Sequence, residues 1–198
     1  MKKSWIIIGV IVILFFVLYR MFVGGYNSMV EKEEAVSGAW SQVENVYQRR
    51  SDLIPNIVAS VKGEANFEKS TLVDVINARA SATRPEIKVD PSKITPESVA
   101  NFQQAQDGLS SALGRLLITV EKYPELKANK AFSDLRVELE GTENRIAVER
   151  KRFNEVVQDY NAFIRKFPKN IVASMFDFEK KGYFEATKGA EKAPEVKF

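Results

Sequence analysis

The chain has 198 residues, with 29 basic and 26 acidic side chains and neither histidine nor cysteine. The lack of both excludes Ser–His–Asp and Cys–His catalysis, haem ligation, disulfides and zinc sites built on thiolate or imidazole. The net charge of +3 comes from Lys2, Lys3 and Arg20, because the rest of the chain holds 26 basic and 26 acidic residues, and this balance argues against nucleic-acid binding.

A nineteen-residue apolar segment, Trp5–Val23, is the first predicted element. As a helix it spans about 28 Å, close to the hydrocarbon thickness of a bilayer. The alternative is a signal peptide cleaved near Gly24, but Arg20 and three further apolar residues lie between the apolar core and that position, which favours a retained anchor. The residues assigned to the membrane anchor are Trp5, Ile8, Ile11, Leu14, Phe15, Leu18, Tyr19 and Arg20.

Two soluble helices are predicted after a hinge at Gly24–Gly25. Apolar residues recur at steps of three and four from Val36 to Val61, which is typical of an amphipathic helix. Pro55 should bend this helix, because proline removes one backbone hydrogen bond, and Gly63 should either end it or kink it. A second amphipathic stretch runs from residue 67 to residue 80, and a linker follows over residues 83–95.

Two further helices show a clearer periodicity of apolar residues. Thr95 followed by Pro96 is a helix start by capping rules, and the third helix then runs to Tyr123. The fourth, residues 131–167, would be roughly 55 Å long. We therefore predict an all-α fold, with an N-terminal transmembrane helix followed by an elongated antiparallel up-and-down-type four-helix bundle. The predicted parts are the tail and anchor (1–25), the bundle (26–168) and an aromatic, then polar, C-terminal tail (169–198).

Polar residues interrupt the apolar seams at Arg50, Gln106, Thr142 and Glu149. They either form a buried network that fixes helix register or lie at the edge of the core. Other carboxylates alternate with basic residues at the spacing of surface ion pairs, so acid–base catalysis is not expected. We predict no enzyme, no cofactor and no metal site.

The C-terminal tail is rich in aromatic residues at its start. These rings either fold back to cap the end of the bundle or form a docking strip for a partner or for lipid headgroups. The docking strip would consist of Phe176, Phe178, Tyr183 and Phe184.

Two groups of motifs resemble the LemA family over nearly the whole chain. The first runs from Trp40 through Arg49-Arg50-Ser-Asp52-Leu-Ile-Pro55-Asn56 to Gly63, and the second contains Thr142-Glu143-Asn144, Arg152-Phe-Asn154, Tyr160-Asn161, Phe167-Pro168 and Tyr183-Phe184. The resemblance implies a bacterial single-pass protein of the cytoplasmic (inner) membrane with a helical bundle, and it implies no enzymatic activity. Family members are linked to magnetosome membrane formation and, through genome neighbourhood, to membrane proteases of the envelope.

One departure from the family pattern follows Gly63. Relatives often carry a Tyr-Ala pair and then a His-Glu pair, whereas this chain reads Glu-Ala-Asn-Phe-Glu at residues 64–68. A histidine-dependent role therefore does not carry over.

The motif residues also have a physical interpretation. Arg49 and Arg50 precede Pro55 and are expected to hydrogen-bond the freed carbonyl of Ser51. They are also expected to pair with Asp52 or, across the bundle, with Glu143 or Glu149. These residues either form a polar layer that locks the first helix against the fourth or line a cleft for a partner or small ligand. The full set is Arg49, Arg50, Asp52, Pro55, Asn56, Glu143, Asn144, Asn154, Tyr160 and Asn161.

We expect the chain to act as a membrane-anchored scaffold or adaptor through protein–protein contact at the bacterial envelope. Its expected partners are the lipid bilayer, envelope membrane proteins such as a membrane protease, and other copies of itself. The alternative is a membrane-remodelling, transport or protease accessory factor that acts at the lipid surface. Lys2 and Lys3 before the anchor weakly favour an extracytoplasmic bundle.

Overall fold

The computed structural model describes residues 2–63 and 67–186. Within these ranges the chain forms helices and no strand, which confirms the all-α prediction. The polar end of the predicted tail (187–198) and residues 64–66 of the departure after Gly63 lie outside the described residues. The helices are α1 (Lys2–Lys62), α2 (Lys69–Ala82), α3 (Pro96–Val120), α4 (Pro124–Ala128), α5 (Lys130–Arg165) and α6 (Lys169–Met175), with a short 3₁₀ turn at Pro85–Ile87.

Helix α1 continues for 61 residues without a break, so the predicted hinge at Gly24–Gly25 is wrong. A glycine costs a helix only about 1 kcal/mol relative to alanine, which is too little to interrupt long helical segments on both sides. Gly25 is buried against α6, where a Cβ would lie 3.9 Å from Val172 Cγ2. The most apolar 18 residues of α1, near its N-terminus, are not buried by any other part of the described protein, as expected of a membrane anchor.

The helices of the soluble part alternate in direction. Lys32 of α1 pairs with Asp159 of α5, whereas Arg49, further along α1, pairs with Glu138, nearer the start of α5. These pairs make α1 and α5 antiparallel. Helix α2 returns beside α1, and α3 runs in the direction of α1 again. The order is up, down, up, down, as predicted for the bundle.

The core consists of two apolar clusters along the bundle. The cluster nearer the anchor is centred on Trp40, whose ring contacts Phe102, Phe153 and Phe184. The far cluster packs the end of α1 against α2, α3, α4 and the start of α5. Each fully buried apolar side chain contributes about 1.5–3 kcal/mol to folding, so these clusters hold the helices together.

Local sequence explains where the third helix begins. The Thr95 hydroxyl accepts a hydrogen bond from the Ser98 backbone N–H, and the Ser98 hydroxyl accepts one from the Thr95 N–H, with Pro96 in the first turn. This capping box confirms the predicted start. The preceding linker packs against the bundle, because its Val89 and Ile94 are buried in the cluster nearer the anchor.

Candidate functional site: a buried arginine and a clamped tail

A buried arginine joins three helices at the middle of the bundle. Arg50 of α1 is 1% exposed. Its Nη1 donates to Ser110 Oγ of α3 at 2.6 Å and to Glu143 Oε1 of α5 at 2.9 Å. Its Nη2 donates to the side-chain oxygen of Gln106 at 2.6 Å and to the backbone oxygen of that residue at 3.2 Å. Arg50 therefore ties α1 to both α3 and α5.

The contacts of the arginine extend to neighbouring groups. Its guanidinium lies 4.9 Å from the ring centroid of Tyr47, and Gln106 Nε2 donates to the carbonyl of Ala82 at the end of α2 at 3.2 Å. Burial raises the pKa of Tyr47, and the positive charges of Arg150 and Arg50 oppose that rise. The arrangement links all four long helices by hydrogen bonds, with Tyr47 kept neutral beside them.

Pro55 frees a backbone carbonyl, but the predicted partners of that carbonyl are wrong. Proline has no N–H to bond Ser51 O, which lies four residues earlier. Arg79 of α2, rather than Arg49 or Arg50, donates its Nε to that oxygen at 2.9 Å. Helix α1 continues through Pro55, and the hydrogen bond from Arg79 holds α2 to α1 at this point.

The other predicted polar residues lie apart from the arginine. Arg49 pairs with Glu138 at 2.8 Å on the surface, and Asp52 accepts a hydrogen bond from Gln48 at 2.8 Å. Asn56 and Asn144 are exposed. Thr142 is buried and donates to the carbonyl of Glu138 in its own helix. Glu149 Oε2 is buried and has no hydrogen-bond partner among the residues that the structure describes. Of the four polar seam residues, Arg50 and Gln106 are joined by a direct hydrogen bond.

Three amide side chains clamp the extended tail that follows α6. Asn161 donates to Lys181 O at 3.0 Å and accepts from Lys181 N at 2.9 Å. Asn154 makes the same pair of bonds with Phe184, at 2.8 and 2.9 Å. Gln103 of α3 does so with Glu185, at 3.0 and 2.9 Å. Each amide thus satisfies both backbone groups of one tail residue, as a neighbouring strand would.

The clamped tail completes the core nearer the anchor. Phe184 is 5% exposed, stacks on Trp40 with ring centroids 5.8 Å apart, and carries Arg150 on its ring at 4.8 Å. Phe184 therefore cannot belong to a docking strip, and it folds back as the alternative predicted. Asn154 and Asn161 bond the tail, which corrects the idea that they lock the first helix against the fourth.

The remaining residues of the predicted strip lie at the surface or against the anchor. Phe176 and Tyr183 are exposed, and Phe178 is half-buried. Phe176 and Phe178 both contact Tyr26 of α1, with ring centroids 4.8 and 5.6 Å apart. The start of the tail therefore packs on the segment of α1 that leaves the anchor.

Tyr160 and Lys181 form a second buried polar pair. Tyr160 is fully buried, and within the described ranges of the chain its hydroxyl has no hydrogen-bond partner. Burial, together with the charge of Glu33, raises the pKa of Tyr160. The Lys181 ammonium lies 5.6 Å from the Tyr160 ring and pairs with Glu33 of α1. These contacts join the tail to α1 as well as to α5.

Sequence reasoning missed Gln103, Arg79 and Lys181. The groups that they bond are backbone atoms or side chains distant in the sequence, and the spacing of neighbouring residues does not predict such contacts. A cavity of about 270 Å³ opens beside the buried arginine and is lined in part by Ser51, Arg79 and Gln106. Among the residues that the structure describes, no group of three or more carboxylates is placed to hold a metal ion.

The clamp yields a stability prediction. Asn161→Ala should lower the free energy of unfolding by about 2 kcal/mol, because the buried backbone N–H and carbonyl of Lys181 lose their partners. Asn144→Ala, the same change at an exposed position of the same helix, should lower it by less than about 0.5 kcal/mol. Urea unfolding of the full chain in detergent micelles, followed by circular dichroism, measures both. Equal effects would contradict the clamp.

Comparisons with known proteins give a matching family model and several relatives. The family model described as "LemA family" matches residues 39–198. Protein LemA of Metamycoplasma hominis is 26% identical over 180 residues, which cover 88% of this chain and 78% of that protein. Magnetosome protein MamQ of Magnetospirillum gryphiswaldense is 29% identical, and one from Paramagnetospirillum magneticum is 27% identical. These matches cover 80% and 81% of this chain, but 64% of each magnetosome protein.

Proposed function

This chain belongs to the LemA family, and we propose that it is a membrane-anchored helical scaffold that holds a bundle at a fixed height on the bilayer and works by protein–protein contact. The observation that carries the proposal is the unbroken α1, which is exposed and apolar over the anchor and supplies the bundle core from Met29 onwards. Because α1 has no hinge, it fixes the position of the bundle relative to the membrane anchor.

A non-catalytic role agrees with the chemistry of the chain. Neither histidine nor cysteine is present, and both terminal nitrogens of the buried Arg50 are hydrogen-bonded to side chains of the bundle, Glu143 and Gln106 among them. The family description and the names of the relatives name no reaction. The printed name of the MamQ relatives assigns them to magnetosomes, which supports work at a membrane. We place this chain in the bacterial cytoplasmic (inner) membrane.

One exposed face of α5 is the contact surface that we propose for the partner. Val137, Gly141, Asn144 and Val148 follow at steps of four, three and four, so they share one side of the helix, and all are exposed. Val137 and Val148 are 66% and 63% exposed, unusually high for valine within a bundle. Envelope membrane proteins, such as a membrane protease, and a second copy of this chain are the candidate occupants.

Site-specific photo-crosslinking in native membranes tests this proposal. A benzophenone side chain placed at residue 148 of the full chain should give a discrete adduct with a protein. The same side chain at residue 56, which is exposed on α1, should give none. The mass of the adduct distinguishes self-association from a different envelope protein. Equal, diffuse labelling from both positions would contradict a contact role for this face.

A further inference from the structure

A stripe of exposed apolar side chains lies on α6 and the turn before it. Ile171 and Met175 are one turn apart on α6, so they share one side of that helix, and they are 46% and 62% exposed. Phe167, in the turn before α6, is 81% exposed and lines the same groove as Ile171. The opposite side of α6 is buried, because Val172 and Ala173 belong to the core. Nothing within the described part of the chain covers the stripe.

The stripe lies beside the end of the membrane anchor rather than beside the middle of the bundle. A groove of about 550 Å³ is lined jointly by Leu18 and Met21 of the anchor and by Phe167 and Ile171. A second groove, about 470 Å³, is lined by Phe15, Tyr19 and Phe176, among others. Both grooves are continuous with the surface of α1 that lies within the bilayer. The α5–α6 corner therefore reaches down beside a helix segment that is itself in lipid.

Basic residues lie beside the stripe, mainly near Phe167. Arg165 and Lys166 are exposed just before Phe167, and Arg20 lines the groove from the anchor side. Lys169 lies over the ring of Phe163 at 3.6 Å. Two acidic residues, Asp177 and Glu179, are exposed just beyond the stripe. An apolar stripe edged by cations is the pattern of a surface that enters the headgroup region of an anionic bilayer.

We propose that the α5–α6 corner is a second membrane contact, in which Phe167, Ile171 and Met175 enter the lipid interface and the neighbouring cations bind anionic headgroups. The occupant is bilayer lipid, because the anchor already fixes the corner at the depth where its own residues Leu18 to Val23 meet lipid. The contact seats the bundle on the membrane at two points, α1 and the corner. Rotation and tilt of the bundle are restricted as a result.

Spin-label accessibility in reconstituted full-length protein tests this contact. The chain has no cysteine, so Ile171→Cys and Met175→Cys each give one labelling site. The proteins are placed in vesicles of phosphatidylcholine with phosphatidylglycerol, and collisions of the nitroxide with oxygen and with a water-soluble nickel complex are measured. Leu14→Cys, within the anchor, provides the lipid reference, and Asn56→Cys, at an exposed position of α1 in the bundle, provides the water reference.

Labels at 171 and 175 should resemble the label at 14, with high oxygen and low nickel accessibility. In vesicles of phosphatidylcholine alone, nickel accessibility at both sites should rise. Lys166→Glu combined with Lys169→Glu should produce the same rise in the mixed vesicles. Labels at 171 and 175 that behave like the label at 56 would overturn the proposal. Labels protected from both reagents would also overturn it, because a second copy of the chain would then cover the stripe.

Discussion

Arg50→Leu is expected to lower the free energy of unfolding by about 2–4 kcal/mol. The side chain is 1% exposed and donates to four oxygen atoms on α3 and α5. Leucine fills part of the space but leaves the Gln106 and Ser110 oxygens without their donor inside the bundle. Glu143 is partly exposed and regains water, so the loss is smaller than for a fully buried ion pair.

Arg49→Leu is the matched control for this substitution. It makes the same change one residue earlier, where the salt bridge to Glu138 is on the surface, and its effect should stay below about 1 kcal/mol. Thermal and urea unfolding of both full-length variants in micelles measures the difference. If Arg50→Leu kept full stability but lost partner crosslinking, the arginine would belong to a binding cleft, and its structural role would be wrong.

Phe184→Ala is expected to cost about 3–4 kcal/mol of stability and to release the tail from the bundle. The ring is buried among Trp40, Phe102 and Phe153, so its removal leaves a cavity at the centre of the cluster nearer the anchor. The backbone bonds from Asn154 and Gln103 hold the same stretch of tail, and they weaken once the ring no longer fixes its position.

Tyr183→Ala provides the control, because Tyr183 is adjacent but 42% exposed. Its unfolding free energy should change by less than about 1 kcal/mol. Limited trypsin digestion of the full chain gives the second readout, since cleavage after Lys180 and Lys181 requires the tail to leave α5. Phe184→Ala should be cut there faster than either Tyr183→Ala or the parent. Equal digestion of all three would show that Phe184 does not hold the tail.

Helix positions were largely predictable because they depend on local information. The steps of three and four from Val36 to Val61, and along α5, report one buried side of each helix. The Thr95–Pro96 start follows from capping chemistry within four residues. The short connection from α1 to α2 makes these two helices antiparallel. The thirteen residues between α2 and α3 (83–95) give no such guide.

The contacts of the motif residues could not be predicted in the same way. The spacing of Asn154 and Asn161 places both on one face of α5. It does not show whether another helix or the extended tail packs on that face. The carbonyl freed by Pro55 needed a donor, but Arg79 lies 28 residues away from Ser51, in another helix. The hinge was predicted from the glycine pair alone, although glycine costs a helix too little to break it. Gly25 also packs against α6, which the sequence does not show.

The distance between a label in the anchor and a label in the bundle tests the scaffold proposal most directly. Ile8→Cys with Glu34→Cys places two nitroxides on exposed positions of α1 in the otherwise cysteine-free chain. An unbroken helix separates their Cα atoms by about 39 Å. Pulsed dipolar spectroscopy of the full chain in lipid nanodiscs should therefore give one narrow distribution near that value. A broad or clearly shorter distribution would mean that Gly24–Gly25 bends in the membrane, and the bundle would then not be held at a fixed height.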